Sequence, residues 1–157
     1  MRPVPTMITS YEMNVDAPVE VVFSTATDVA AMPQFTRDVE SMVFITPAPL
    51  QLGSQVRDTR CLLGMRRSQL IAIPLFERPF RFIATFAVFG VTFFSDHLFY
   101  AGPSRTRFLI TVEVVGAAGV GRMLRPFVRL AAALVRHGIR REIEDIKVEA
   151  EDRARKA

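Results

Sequence analysis

Cysteine occurs once, at Cys61, and histidine twice, at His97 and His137. One thiol cannot close an internal disulfide, and one cysteine with two histidines does not make a zinc site of the usual kind. Tryptophan is absent. No uncharged apolar stretch is long enough for a membrane helix. The longest, residues 82–94, is interrupted by Thr85, Gly90 and Thr92 and reads as two strands. Residues 1–10 lack the continuous apolar core of a secretion signal, so a cytoplasmic location is expected. There is no G-x-S-x-G, no phosphate-binding glycine loop and no dinucleotide fingerprint. The one glycine-rich piece, G-A-A-G-V-G at residues 116–121, has no parallel-sheet unit around it. No nucleotide, metal or other cofactor is expected.

What is abundant is apolar bulk. Half of the 157 residues are hydrophobic and 13 are Phe, enough for one domain over residues 1–157 with a sizeable core. The net charge of +4 is unevenly spread: residues 119–141 hold six Arg and no acid, whereas residues 142–157 hold six acids and four bases. A basic stripe suits nucleic acid or an anionic membrane surface. Without interleaved aromatics or a nucleic-acid-binding motif it reads as a solvated helix face. No nucleic-acid partner is expected, and membrane contact is transient if it occurs.

The stripe belongs to the longest periodic segment, Gly119 to Lys156. At about 100° per residue, Leu124, Phe127, Val128, Ala131, Leu134, Val135 and Gly138 share one face, and Arg122, Arg125, Arg129, Arg136 and Arg140 share the opposite one. Pro126 would kink a helix that starts as early as Gly119. Glu142 interrupts the apolar face. It reads as reaching water beyond the end of a sheet, the alternative being a buried partner.

Ahead of this helix come alternating strand patterns. Met7–Val15 is the first. Asp16 and Pro18 then open a helix, with Asp16 as its cap and Val19, Val22, Phe23 and Ala26 as its apolar face. Ala30–Thr36 is a second short helix or turn, and Val39–Ile45 the second strand. A meander follows: Ser54–Leu62, Met65–Ile73, Phe80–Phe89, Thr92–Ala101 and Ser104–Val115, with short turns that make neighbours antiparallel. This order predicts an α+β fold, a seven-stranded curved antiparallel sheet gripping the long C-terminal helix.

Several local motifs point the same way. They are Val15-Asp16-Ala17-Pro18-Val19-Glu20-Val21-Val22-Phe23, then Asp28 and Met32-Pro33-Gln34-Phe35, Gly53, Thr106, Ile146-Lys147 and Glu151. Over nearly its whole length the chain resembles the START-like (SRPBCC) superfamily, in its polyketide cyclase/dehydrase-like branch. Members often carry Trp where Phe35 stands. The resemblance implies a helix-grip fold holding an apolar ligand between sheet and helix. It does not imply one activity, because cyclases, aromatases, lipid carriers and hormone receptors share the fold.

Strand parity indicates what would face that space. In the last strand Phe108, Ile110, Val112 and Val114 form the apolar set. A Gly102–Arg105 loop pairs Phe99 with Phe108 and His97 with Ile110. A Gly90-Val91 turn pairs Val88 with Phe93, Phe86 with Ser95 and Ala84 with His97, which places Phe82 and Phe86 inward. An even loop at residues 74–79 pairs Ile73 with Phe80 and Gln69 with Ala84. A Leu63-Gly64 turn then pairs Arg60 with Arg67 and Asp58 with Gln69. The result is a polar cluster of Asp58, Arg60, Arg67, Gln69 and His97 on a Phe-rich wall; one bulge would turn it outward and bring in Thr59, Cys61, Arg66 and Ser68.

The expected function is binding of a small hydrophobic molecule, such as a lipid, polyketide or isoprenoid. Phe82, Phe86, Phe93, Phe99 and Phe108 would line the sheet side, and Phe127, Ala131, Leu134 and Val135 the helix side. His97, with Arg60 or Arg67, would orient a polar end. One alternative is a cyclase or dehydratase using His97 as its acid or base; the plainer role of an inward histidine is a hydrogen-bonded pocket residue. The other alternative is a homodimeric interaction module joined through Ile83, Phe89, Phe94, Leu98 and Tyr100 on the outer sheet face.

Overall fold

Two-residue turns with paired positive φ angles set the frame of the sheet. Leu63-Gly64 takes φ of 50° and 79°, and Phe89-Gly90 takes 51° and 76°. This is the primed turn geometry that matches strand twist. The computed structural model describes residues 8–115, 123 and 125–157. Its strands are β1 (Ile8–Val15), β2 (Val39–Phe44), β3 (Gln55–Leu62), β4 (Met65–Glu77), β5 (Arg81–Val88), β6 (Val91–Ala101) and β7 (Thr106–Val115). Its helices are α1 (Val19–Ala26), α2 (Met32–Phe35) and α3 (Arg125–Lys156). One antiparallel sheet runs β1-β7-β6-β5-β4-β3-β2, so β1 closes onto the end of the meander. With α3 packed along it, this is the helix-grip architecture.

The β3–β4 register is the expected one, with Asp58 opposite Gln69 and Arg60 opposite Arg67. So is β6–β7, with Phe99 opposite Phe108 and His97 opposite Ile110. Two hairpins differ in register while keeping their faces. The β5–β6 turn is Phe89-Gly90 rather than Gly90-Val91, so Phe86 meets Phe93 and Phe82 meets His97. That moves each pair by two residues, and an even shift leaves every side chain on its expected face. Between β4 and β5, the expected pairs of Ile73 with Phe80 and Gln69 with Ala84 do not form. Instead Ala72 lies opposite Thr85, again an even shift. β4 continues to Glu77 through an irregularity between Ala72 and Leu75. Pro74 sits within it, and a bulge tolerates the missing N–H that a regular ladder would not.

The N-terminal cap of α1 also differs from expectation. Pro18 occupies the cap position without a side-chain hydrogen bond. Asp16 instead accepts from Arg105 Nε at 2.6 Å, and its backbone N–H donates to Glu151 Oε1 at 3.0 Å. Asp16 thus joins the turn before β7 to the far end of α3. α3 buries Ala131, Leu134, Val135, Gly138, Ile139, Ile143, Ile146 and Ala150, while Arg125, Arg129, Arg136 and Arg140 are exposed. Pro126 stands in the first turn, where proline is tolerated. Met7, Leu124, Arg122 and the glycine-rich segment 116–121 lie outside the described residues.

Candidate functional site

Between α3 and the β3–β6 part of the sheet the chains do not meet, and a cavity of about 90 Å³ remains. Its sheet wall is largely apolar, from Val56, Ile71, Ile73, Phe82, Ala84, Phe86 and Val88. Its helix wall is Leu134, Val135, Gly138 and Ile139, and Ala26, Val29 and Met32 close it from the α1–α2 side. Gly138 contributes by having no side chain: a Cβ there would stand 3.4 Å from both Leu62 methyls. The volume is smaller than the roughly 150 Å³ that accommodates one benzene in an engineered core. It fits a short alkyl segment as it stands, and one ring with small side-chain movements.

At one side this wall is charged. Asp58 is completely buried. Its Oδ2 accepts from Arg60 Nε at 2.5 Å and from Gln69 Nε2 at 3.0 Å. Arg60 Nη1 reaches across to α3 and donates to Glu142 Oε2 at 2.6 Å. One guanidinium is therefore shared by two carboxylates that differ in acidity. Burial pushes the Asp58 carboxyl above its usual range, against the pull of Arg60. Burial acts on Glu142 in the same direction, but the charge and hydrogen bond of Arg60 outweigh it and hold that carboxyl low. Burial also opposes the charge on Arg60, yet Glu142 and Asp58 together raise its affinity for its proton.

Three buried polar atoms in this region have no protein partner: Asp58 Oδ1, Arg67 Nε and Ser95 Oγ. Arg67 and Ser95 both line the cavity. Buried polar groups are nearly always satisfied, so unpaired ones on a cavity wall mark where a guest or solvent would bond. The Arg67 guanidinium is held in place by stacking 3.8 Å over the Phe89 ring.

His97 lies between this cluster and the aromatic core. Its ring stacks on Phe82 with centroids 4.2 Å apart. Nδ1 lies 3.1 Å from the Ser95 carbonyl oxygen. A carbonyl only accepts, so Nδ1 carries the proton and Nε2 is left as an acceptor. Burial lowers the imidazole pKa from its ordinary value, while nearby Glu142 opposes the shift. The ring is accordingly neutral at pH 7.

Of the residues singled out from sequence, Arg60, Arg67, Gln69, Phe82, Phe86, His97, Leu134 and Val135 line the cavity. Asp58 sits behind Arg60 and Gln69. Phe93, Phe99, Phe108 and Ala131 are buried in the packed core beside the cavity rather than in its wall. Phe99 stacks on Phe108 at 4.5 Å, and Phe93 on Phe86 at 5.6 Å. Phe127 is misassigned: it is 54% exposed. It belongs to the first turn of α3, ahead of Ala131, the first buried position of the helix. Glu142 is a second correction. It bonds Arg60 instead of reaching water, with only 12% of its side chain exposed. The outward flip does not occur, since Arg66 and Ser68 are exposed.

Sequence reasoning left out Ser95, although its parity with His97 was a usable signal. It also left out Ala26, Val29 and Met32, whose place depends on how α1 and α2 close over the sheet. Among the described residues no group of three or more His, Cys, Asp or Glu is placed to hold a metal, and no helix is long and apolar enough to cross a membrane.

No family model matches the chain, and no curated protein matches it in sequence. Solved structures do match in shape. The Zhui aromatase/cyclase from Streptomyces sp. R1128 superposes with a TM-score of 0.76, at 17% identity over 94% of both chains. The di-domain aromatase/cyclase StfQ of the steffimycin biosynthetic pathway gives 0.73, at 10% identity over 94% of this chain and 52% of its own. A START superfamily protein from Mycobacterium smegmatis gives 0.67, at 16% identity over 95% of this chain and 97% of its own. At these identities the likeness establishes the fold alone, the one these aromatase/cyclase and START superfamily structures also have.

Proposed function

We propose that this START-like helix-grip domain binds a small hydrophobic molecule carrying one polar end. The observation that carries the reading is the apolar cavity whose wall bears the unpaired Arg67 Nε and Ser95 Oγ. The apolar wall supplies affinity through burial, at about 25 cal/mol per Å² removed from water. The polar atoms supply orientation, because a guest oxygen at Arg67 satisfies a donor that otherwise stays desolvated. Lipid, polyketide and isoprenoid pieces all fit this description, and the cavity volume limits the enclosed part to about one ring.

Titration calorimetry with benzoate, benzyl alcohol and toluene tests the reading. The two polar-ended rings should bind more tightly than toluene, and Arg67→Met should remove benzoate's advantage. Absence of binding by all three, or equal binding by toluene, contradicts the proposal.

A cyclase or dehydratase is the second reading. The arrangement of His97 favours it: a buried neutral ring whose Nδ1 is held by a carbonyl has Nε2 free to take a proton. Proteins of the same fold named aromatase/cyclase add to it. Chemical change in a bound polyketide-like compound, lost in His97→Ala with binding retained, would separate enzyme from carrier. A third reading, association through the outer sheet face, would show as a dimer mass that Tyr100→Asp reduces to the monomer.

A further inference from the structure

At one end of the sheet, apolar side chains stand in water beside arginines. Leu62 pairs with Met65, Val88 with Val91 and Thr92 with Val115, so the β3–β4 turn, the β5–β6 turn and the end of β7 all lie there. The start of α3 comes to the same end. Ala132 shares a small crevice with Thr9 and Val114, whereas Glu151 at the other end of the helix bonds Asp16. Residues 125–130 are about 9 Å of helix ahead of the buried Ala131, and all of them are exposed except the half-buried Val128.

This end exposes Leu63 (68%) on one turn, Phe89 on the other, and Met123 (88%), Phe127 and Leu130 along the helix start. Isolated exposed apolar residues are ordinary; five converging on one end of a small domain are a patch. The charge around them is basic. Arg125 and Arg129 are exposed on α3, and Arg67 lies over Phe89. Of the acids nearby, Glu40 is held by Arg66 at 2.7 Å, and Glu113 lies on the outer face of β7.

We propose that this end of the molecule docks on an anionic lipid bilayer. Leu63, Phe89, Phe127 and Leu130 enter the boundary between headgroups and acyl chains, and Arg125 and Arg129 meet the phosphates. Apolar tips ringed by arginine are the pattern that interfacial binding requires, since each element supplies what the other lacks. A second copy of the chain on the same patch would set Arg125 and Arg129 against themselves. Nucleic acid would satisfy the arginines and leave Leu63 and Leu130 without a partner. Leu62 and Val88, next to the two turns, line the cavity, so docking brings the cavity to the lipid surface whatever the cavity holds.

The chain has no Trp, so Phe127→Trp gives a single reporter. Its emission should shift to the blue with vesicles of phosphatidylcholine mixed with phosphatidylglycerol, and not with phosphatidylcholine alone. In flotation assays the unmodified chain should follow the same preference and be released by high salt. Arg125→Ala with Arg129→Ala should weaken binding about thirtyfold, the effect of two basic side chains at a charged surface. Leu63→Ser should weaken it as well, with thermal unfolding unchanged in both because the side chains are exposed. No binding, equal binding to both vesicles, or undiminished binding by these variants overturns the proposal. So does a dimer that forms without lipid and is abolished by Phe127→Ser, or displacement from vesicles by an excess of DNA.

Discussion

On the β7 side of the interior, rings meet rings. Phe23 lies edge-on to Phe99 at 5.2 Å, and Phe99 stacks on Phe108 at 4.5 Å. On the β3–β4 side, the same long helix faces Asp58, Arg60, Arg67 and Gln69 across a cavity. Both regions are built from inward-facing strand positions, so parity does not separate them. What separates them is how their side chains fill space. Phe rings interdigitate to interior density and leave no room. Charged side chains point at one another, so Arg60 spans from Asp58 to Glu142 as a strut between sheet and helix. The polar cluster thus stands at one side of a space whose wall is otherwise apolar.

Substitutions can break this contrast. The largest expected effects come from its two centres. Phe23→Ala should cost about 3–5 kcal/mol in denaturant unfolding, because Phe23 is fully buried at the hub of the aromatic cluster. Phe86→Ala, on the cavity wall and half-buried, should cost about 1–2 kcal/mol. Equal losses would mean that the two regions are packed alike. Arg60→Met should cost about 3–5 kcal/mol by stranding two buried carboxylates. Replacing the trio together, Asp58→Leu, Arg60→Met and Glu142→Leu, should recover that loss or more, as apolar replacement of buried ion networks does. A triple variant as unstable as Arg60→Met would show that the network holds the fold by more than charge balance.

Acidity should sharpen the contrast with a smaller effect. The lowered pKa of His97 means that the unfolded chain binds more protons below about pH 6.5. The His97 contribution to stability is therefore full above that pH and falls on acidification. His97→Gln should flatten the stability profile between about pH 7 and 5; an unchanged slope would assign the loss to other groups. The smallest effect belongs to Gly138→Ala. Its Cβ would meet Leu62 at ordinary contact distance, so the helix should gain about 0.5–1 kcal/mol while the cavity narrows. Destabilisation would mean that Leu62 has no freedom to yield.

How far the sequence disclosed these regions depends on the residue. Asp58, Arg60, Arg67 and Gln69 were legible because Leu63-Gly64 is a turn whose length fixes the pairing on both sides. The faces of β5 and β6 were legible despite a misplaced turn, since the error was an even number of residues. The turn itself was not, because Phe89 is a poor candidate for a positive φ. Glu142 was not legible as a partner of Arg60. Their contact joins positions 82 residues apart, and nothing local in either segment encodes it. Phe127 shares its periodicity with Leu134 and Val135, and periodicity does not say where along a helix burial begins. The cavity was the least visible feature, since the same Phe-rich strands would also make a solid core.

The most direct test of the cavity is native mass spectrometry of the protein purified gently from the cells that make it, followed by solvent extraction. The expected result is an added mass in one-to-one proportion, released as an apolar compound with one polar end, and absent when Ala84→Phe fills the cavity. A bare chain mass, unchanged after incubation with benzoate and indistinguishable from that of Ala84→Phe, would contradict the account and make the interior a core throughout.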